Sequence, residues 1–152
     1  MSILSDSLAK LRRPAWADKT WFNALWFQTT WFACVIGRET WLPLSCALIG
    51  AHFLLVQSAR KEAYNLAPVV AIGITVDTLL SAIGIFDFGG TLVPLWLCLL
   101  WVAFATTLTR ALAFFDSRMW LAITVGGLGV PANYAAGAKL GAVALPMEPL
   151  TT

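Results

Sequence analysis

The sequence has little charge. Of its 152 residues, 12% are Asp, Glu, Lys or Arg, while 59% are hydrophobic. A soluble domain carries about 25% charged residues. So few charges cannot solvate a globule of this size, which excludes an ordinary soluble enzyme and a disordered tail. A net charge of +2 gives no basic stripe for nucleic acid. Cysteine is also scarce. Cys34, Cys46 and Cys98 stand alone in apolar stretches, so no zinc or iron–sulfur spacing exists, and the odd count argues against a disulfide framework. Nucleophile-elbow, Walker, dinucleotide-binding and zinc-protease motifs are missing, as are internal repeats and low-complexity tracts. Neither a metal nor a cofactor is expected.

What is present is apolar length. A membrane-spanning helix needs about 20 mostly apolar residues. Five stretches qualify: Trp21–Gly37, Trp41–Ser58, Leu66–Phe86, Leu92–Phe115, and one from Met119 to about Leu145. The breaks between them are Arg38-Glu39, Arg60-Lys61-Glu62, Asp87 through Gly90, and Asp116 through Arg118. Such short breaks join antiparallel neighbours. The fold expected is therefore all-α, a polytopic transmembrane bundle of five spans. Residues 1–20 form a cytoplasmic segment, 21–145 the bundle, and 146–152 a tail. The fifth stretch contains Gly126, Gly127, Gly129 and Pro131, which weaken a helix and remove a backbone donor. It is expected to be one kinked span or a re-entrant pair.

Basic residues set the orientation. With the N-terminus in the cytoplasm, the inner side holds Lys10, Arg12, Arg13, Lys19, Arg60, Lys61, Arg110 and Arg118. The outer side holds Arg38 and Lys139. Five spans then put the C-terminus outside. Trp16, Trp21 and Trp120 fall near the inner interface and Trp41 near the outer one, as suits an indole with an apolar body and one N–H. Trp26, Trp31 and Trp101 lie deeper and are read as packing.

Polar groups at depth are the candidate site. Asp77 sits 11 residues into the third stretch, on a stripe with Gly73, Ser81 and Gly84. A central Asp costs about 2.5–3.5 kcal/mol to insert, so the stripe faces another helix. Proton or substrate handling and interhelical tying are both open to it. His52 in the second stretch could pass protons or be a hydrogen-bonded core imidazole, with Gln28 a candidate partner. Asn23 lies on a second stripe of the first helix. Asn133 and Tyr134 follow Pro131 at roughly the depth of Asp77, where a broken helix could build a site. Arg110, near a cytoplasmic helix end, is read as snorkelling to headgroups or binding an anion.

The segments NALWFQTTWFACVIG, GITVDTLLSAIGIF, PLWLCLLWVAFATTL and PANYAAGAKLGAV, together with the single His52, resemble a family of small proteobacterial inner-membrane proteins of unknown function. The likeness runs from about residue 21 to 145. Members are often encoded beside cyclopropane-fatty-acid-type synthases, amine-oxidase-like flavoproteins and an oxidative-stress sigma factor. The resemblance implies a multi-pass protein of the bacterial inner membrane with a part in membrane fatty-acid modification or the oxidative-stress response. It supplies no catalytic residues. Three functions are carried forward. The first is an accessory protein that meets membrane lipids and a membrane-associated lipid-modifying enzyme. The second is a small proton-coupled transporter or channel, formed as a homo-oligomer. The third is an intramembrane enzyme, the least favoured because no paired acid and base fall at matched depth.

Overall fold

Apolar runs set the elements and turn chemistry sets their ends. The computed structural model describes residues 20–56, 58–115 and 119–145. Within them lie five α-helices and no strand: α1 (Thr20–Gly37), α2 (Leu42–Leu55), α3 (Ala59–Ala82), α4 (Leu95–Phe115) and α5 (Met119–Lys139). The N-terminal segment, Arg118 and the 146–152 tail lie outside the described residues, as does the side chain of Arg110.

One expectation about local structure is corrected, and one pair of alternatives is narrowed to a single form. Arg60, Lys61 and Glu62 are not a loop; they form the first turn of α3. Ser58 caps that turn, its Oγ accepting from the Lys61 N–H at 3.3 Å, and Glu62 favours the positive end of the helix dipole. The helix thus starts before its apolar run. Of the two forms open to the fifth stretch, the single helix is the one found, because α5 runs through Pro131 without interruption. Gly127 and Gly129 have open space around them, which gives the chain room to absorb the ring. Asn133 adds a 2.8 Å bond from its Nδ2 to the Gly129 carbonyl. The helix then ends at Lys139, and no re-entrant pair forms.

Helix α4 is the hub and packs against each of the other four. Its Trp96 and Leu97 meet Trp31, Cys34 and Val35 of α1 in the buried core. After α5 the chain turns at Gly141, and Ala144 makes an isolated bridge to Asp87 in the α3–α4 connection. This return buries Ala142 and Val143 at one end of the bundle.

Among the described residues one helix, α3, is long and apolar enough to cross a membrane; 17% of its apolar window is buried. At about 1.5 Å per residue, its 24 residues extend about 36 Å. Leu42–Leu55 and Leu95–Leu108 are shorter apolar stretches.

Candidate functional site

Helices α3, α4 and α5 meet at Asp77. Its side chain is 1% exposed. Trp101 of α4 donates its Nε1–H to Oδ2 at 2.6 Å. Tyr134 of α5 donates its hydroxyl to Oδ1 at 2.5 Å. Each carboxyl oxygen thus has a donor from a different helix, so the buried group is satisfied on both sides.

The supporting residues follow from size and shape. Gly73 lies one turn before Asp77, and a Cβ built there would sit 2.2 Å from the Trp101 ring. Only glycine lets the indole lie against α3 and still reach the carboxylate. Tyr134 is held by stacking on Phe86, with ring centroids 4.5 Å apart and planes 20° apart. Phe86 comes from the α3–α4 connection and is buried. Gly84, expected on the same stripe as Gly73, has another role. It lies beyond the helix end with φ +78° and open space around it, serving the turn.

Two cavities flank this clasp. A groove of about 640 Å³ runs along the C-terminal half of α3, lined by Ile72, Val76 and Leu80 of that helix, Phe104 and Leu108 of α4, and Val130 of α5, with Asp77 at its base. Its surface is overwhelmingly apolar. A smaller cavity of about 80 Å³ lies between α1, α4 and α5. Trp101 and Tyr134 line both.

His52 is placed elsewhere. It is buried between α2 and its neighbours, its Nε2 3.4 Å from Glu62 Oε1. Trp26 of α1 lies over it, with ring centroids 5.0 Å apart at 35°. Trp26 in turn donates to the Leu48 carbonyl at 3.2 Å. Gln28, the expected partner of His52, is exposed, and no hydrogen bond joins the two among the described residues. Asn23 is buried on α1. Asn133 is exposed and bonded within its own helix, although it lines the smaller cavity.

The structure therefore joins Asp77 to Tyr134 and separates both from His52. It adds Trp101, Phe86 and Glu62, which the sequence reading did not put at a site, while Gly73 faces a neighbouring helix closely as its place on the Asp77 stripe implied. A signal for Trp101 existed: an indole N–H at depth needs an acceptor, and Asp77 is the strongest one there. Glu62 was hidden by its placement in a supposed loop. Among the described residues, no group of three or more His, Cys, Asp or Glu could hold a metal ion.

Taken together, these features define an all-α bundle in which one buried acid is clasped by two aromatic donors beside an apolar groove. The family comparison carries this to a particular group. The family described as "Protein of unknown function (DUF2878)" matches residues 20–152, and the chain belongs to it. No curated protein and no solved structure matches the chain.

Proposed function

We propose that the chain is a polytopic membrane protein that binds a lipid acyl chain in the groove between α3 and α5, serving as a non-catalytic accessory of membrane-lipid chemistry. The observation that carries this reading is the groove itself. Its volume of about 640 Å³ falls within the about 300–1,000 Å³ of ligand pockets, and its walls offer an occupant almost nothing but hydrocarbon. Along α3 it extends from Val69 to Leu80, about 17 Å at 1.5 Å per residue. A single leaflet's hydrocarbon is about 15 Å thick.

The membrane setting rests on where apolar side chains are exposed. Leu25 and Phe32 on α1, Leu44 and Leu54 on α2, Ile72 and Leu79 on α3, and Ile123 and Leu128 on α5 are all exposed. Water would penalise so wide an apolar surface, and lipid would not. A core helix of a soluble domain would be mostly buried, and α3 is not. In this reading all five helices cross a bacterial inner membrane, with the N-terminus cytoplasmic and the C-terminus periplasmic. Partners would be membrane lipids, a lipid-modifying enzyme at the membrane and a second copy of the chain. The resemblance to proteins encoded near fatty-acid-modifying enzymes points the same way.

Catalysis is the poorer fit. Both Asp77 oxygens are engaged, and the one histidine lies with Glu62 and Trp26 instead. Among the described residues Asp77 and His52 do not converge on one reacting atom, as general acid–base chemistry by that pair would require.

A spin-labelled phospholipid tests the reading. In vesicles containing the full chain, a Val76→Trp substitution fills the groove, while Leu44→Trp adds the same bulk on another exposed face. The motionally restricted lipid should fall by about one molecule per chain for Val76→Trp alone. An unchanged fraction in Val76→Trp would rule the groove out as a lipid site.

A further inference from the structure

Helix α3 begins with two cations that the protein does not neutralise. Arg60 and Lys61 are exposed in its first turn, and among the described residues neither forms an ion pair. The acid beside them, Glu62, is turned to α2 instead, where its Oε1 lies 3.4 Å from His52 Nε2. Two positive charges are thereby left at one end of an apolar helix. With Ser58 and Tyr64 they line an open depression of about 450 Å³. Tyr64 is exposed, and a phenol with an apolar body and a polar tip suits the boundary between hydrocarbon and headgroups.

The depression leads to the groove along one face of α3. Lys61, Asn65, Pro68 and Ile72 follow one another at spacings of four, three and four, so they form a single stripe of the helix. All four are exposed, and Ile72 is a groove residue. Asn65 and Pro68 are short, which leaves a path for a hydrocarbon chain between the cations and the groove. From Lys61 to Val76 the helix rises about 22 Å, at about 1.5 Å per residue. Half of a bilayer with its headgroups measures about 20–22 Å. A lipid whose phosphate sits at Lys61 therefore brings the end of its chain to Val76.

We propose that Arg60, Lys61 and Tyr64 bind the phosphate of an anionic phospholipid whose acyl chain lies in the groove. This headgroup site rests on the groove reading and adds to it the lipid class and the leaflet, the cytoplasmic one in the orientation above. The Arg60 guanidinium can donate two parallel hydrogen bonds to phosphate oxygens, Lys61 contributes a point charge, and the Tyr64 hydroxyl donates once more. A zwitterionic head would bring an ammonium up to two cations whose neighbouring acid is already engaged by His52.

The test uses the full chain in phosphatidylcholine vesicles, with spin-labelled phosphatidylglycerol and phosphatidylcholine as probes. Wild type should prefer phosphatidylglycerol by about fivefold or more, the scale of one basic side chain at an anionic surface. Arg60→Gln with Lys61→Gln should bring the ratio near one and leave the amount of restricted phosphatidylcholine as it was. These substitutions spare the helix cap, because Ser58 receives the backbone N–H of Lys61. Lys139→Gln, at the C-terminal end of α5, should leave the ratio unchanged. Val76→Trp should lower restricted phosphatidylglycerol, since head and chain belong to one lipid. Equal binding of the two lipids by wild type overturns the proposal, and that comparison needs no variant. So does a preference that survives the double substitution, or one that Val76→Trp leaves untouched. Loss of the preference to millimolar glycerol phosphate would put a soluble phosphate ester in the depression and overturn it too. The groove reading stands or falls separately, on whether Val76→Trp lowers restricted phosphatidylcholine.

Discussion

The indole of Trp101 lies against Gly73 and donates its N–H to Asp77 one helical turn away. Two helices are thus locked in register by one ring, which needs a missing side chain on α3 as much as it needs an acceptor. Tyr134 extends the same lock to α5.

Gly73→Ala should destabilise the bundle by about 1–3 kcal/mol, the usual cost of overpacking a close contact. The added methyl would displace the Trp101 ring and break its bond to Asp77. Gly50 on α2 has open space around it, so Gly50→Ala should be neutral or stabilise by up to about 1 kcal/mol through helix propensity. Equilibrium unfolding in micelles compares the two. Equal effects would contradict the close approach at Gly73.

Trp101→Phe keeps the ring and removes the donor. An average interhelical bond in a membrane is worth about 0.6 kcal/mol, and leaving a buried acceptor unsatisfied costs about 1–3 kcal/mol. The loss should fall nearer the second figure, because Asp77 is buried. In an Asp77→Asn background the same substitution should cost less, with a coupling above about 0.5 kcal/mol. A double-mutant cycle read by unfolding measures it. Tyr134→Phe should behave alike.

His52 and Asp77 should act independently. Their identified partners differ, Glu62 and Trp26 for one and Trp101 and Tyr134 for the other. The stability effects of His52→Ala and Asp77→Asn should add to within about 0.5 kcal/mol. Marked non-additivity would revive a coupled acid–base pair.

Cys46 is exposed on α2, and Cys34 is fully buried. A nitroxide on Cys46, in a chain with Cys34 and Cys98 replaced by Ala, should be relaxed strongly by oxygen and weakly by a water-soluble nickel complex once in vesicles. The reverse pattern would place this face in water and remove the membrane reading of α2.

Much of the architecture was legible because apolar runs and charged breaks have separate causes. The turn at Arg38-Glu39 and the connection from Asp87 through Gly90 fall where few-residue polar breaks interrupt long apolar stretches. Asp77 was legible as a site because an acid in such a stretch demands a partner. Polar and helix-weakening residues were the harder signals, because neither kind by itself marks where a helix ends. Arg60, Lys61 and Glu62 extend a helix beyond its apolar run because Ser58 caps it. Pro131 stays inside α5, where Gly127 and Gly129 leave space around the backbone. Trp101 was read as packing because composition shows an indole's bulk and conceals where its single N–H points. The separation of His52 from Asp77 depends on lateral packing, which depth along a helix does not encode.

The central claim is that one lateral groove, among many lipid-exposed faces, holds an acyl chain. Photo-crosslinking with a phospholipid that carries a diazirine along its acyl chain tests it most directly, with adducts mapped by mass spectrometry on the full chain in vesicles. The account predicts adducts concentrated on Ile72, Val76 and Val130, well above those on Leu44 and Leu54, which are as exposed but lie outside the groove. Labelling spread evenly over all five positions would contradict it.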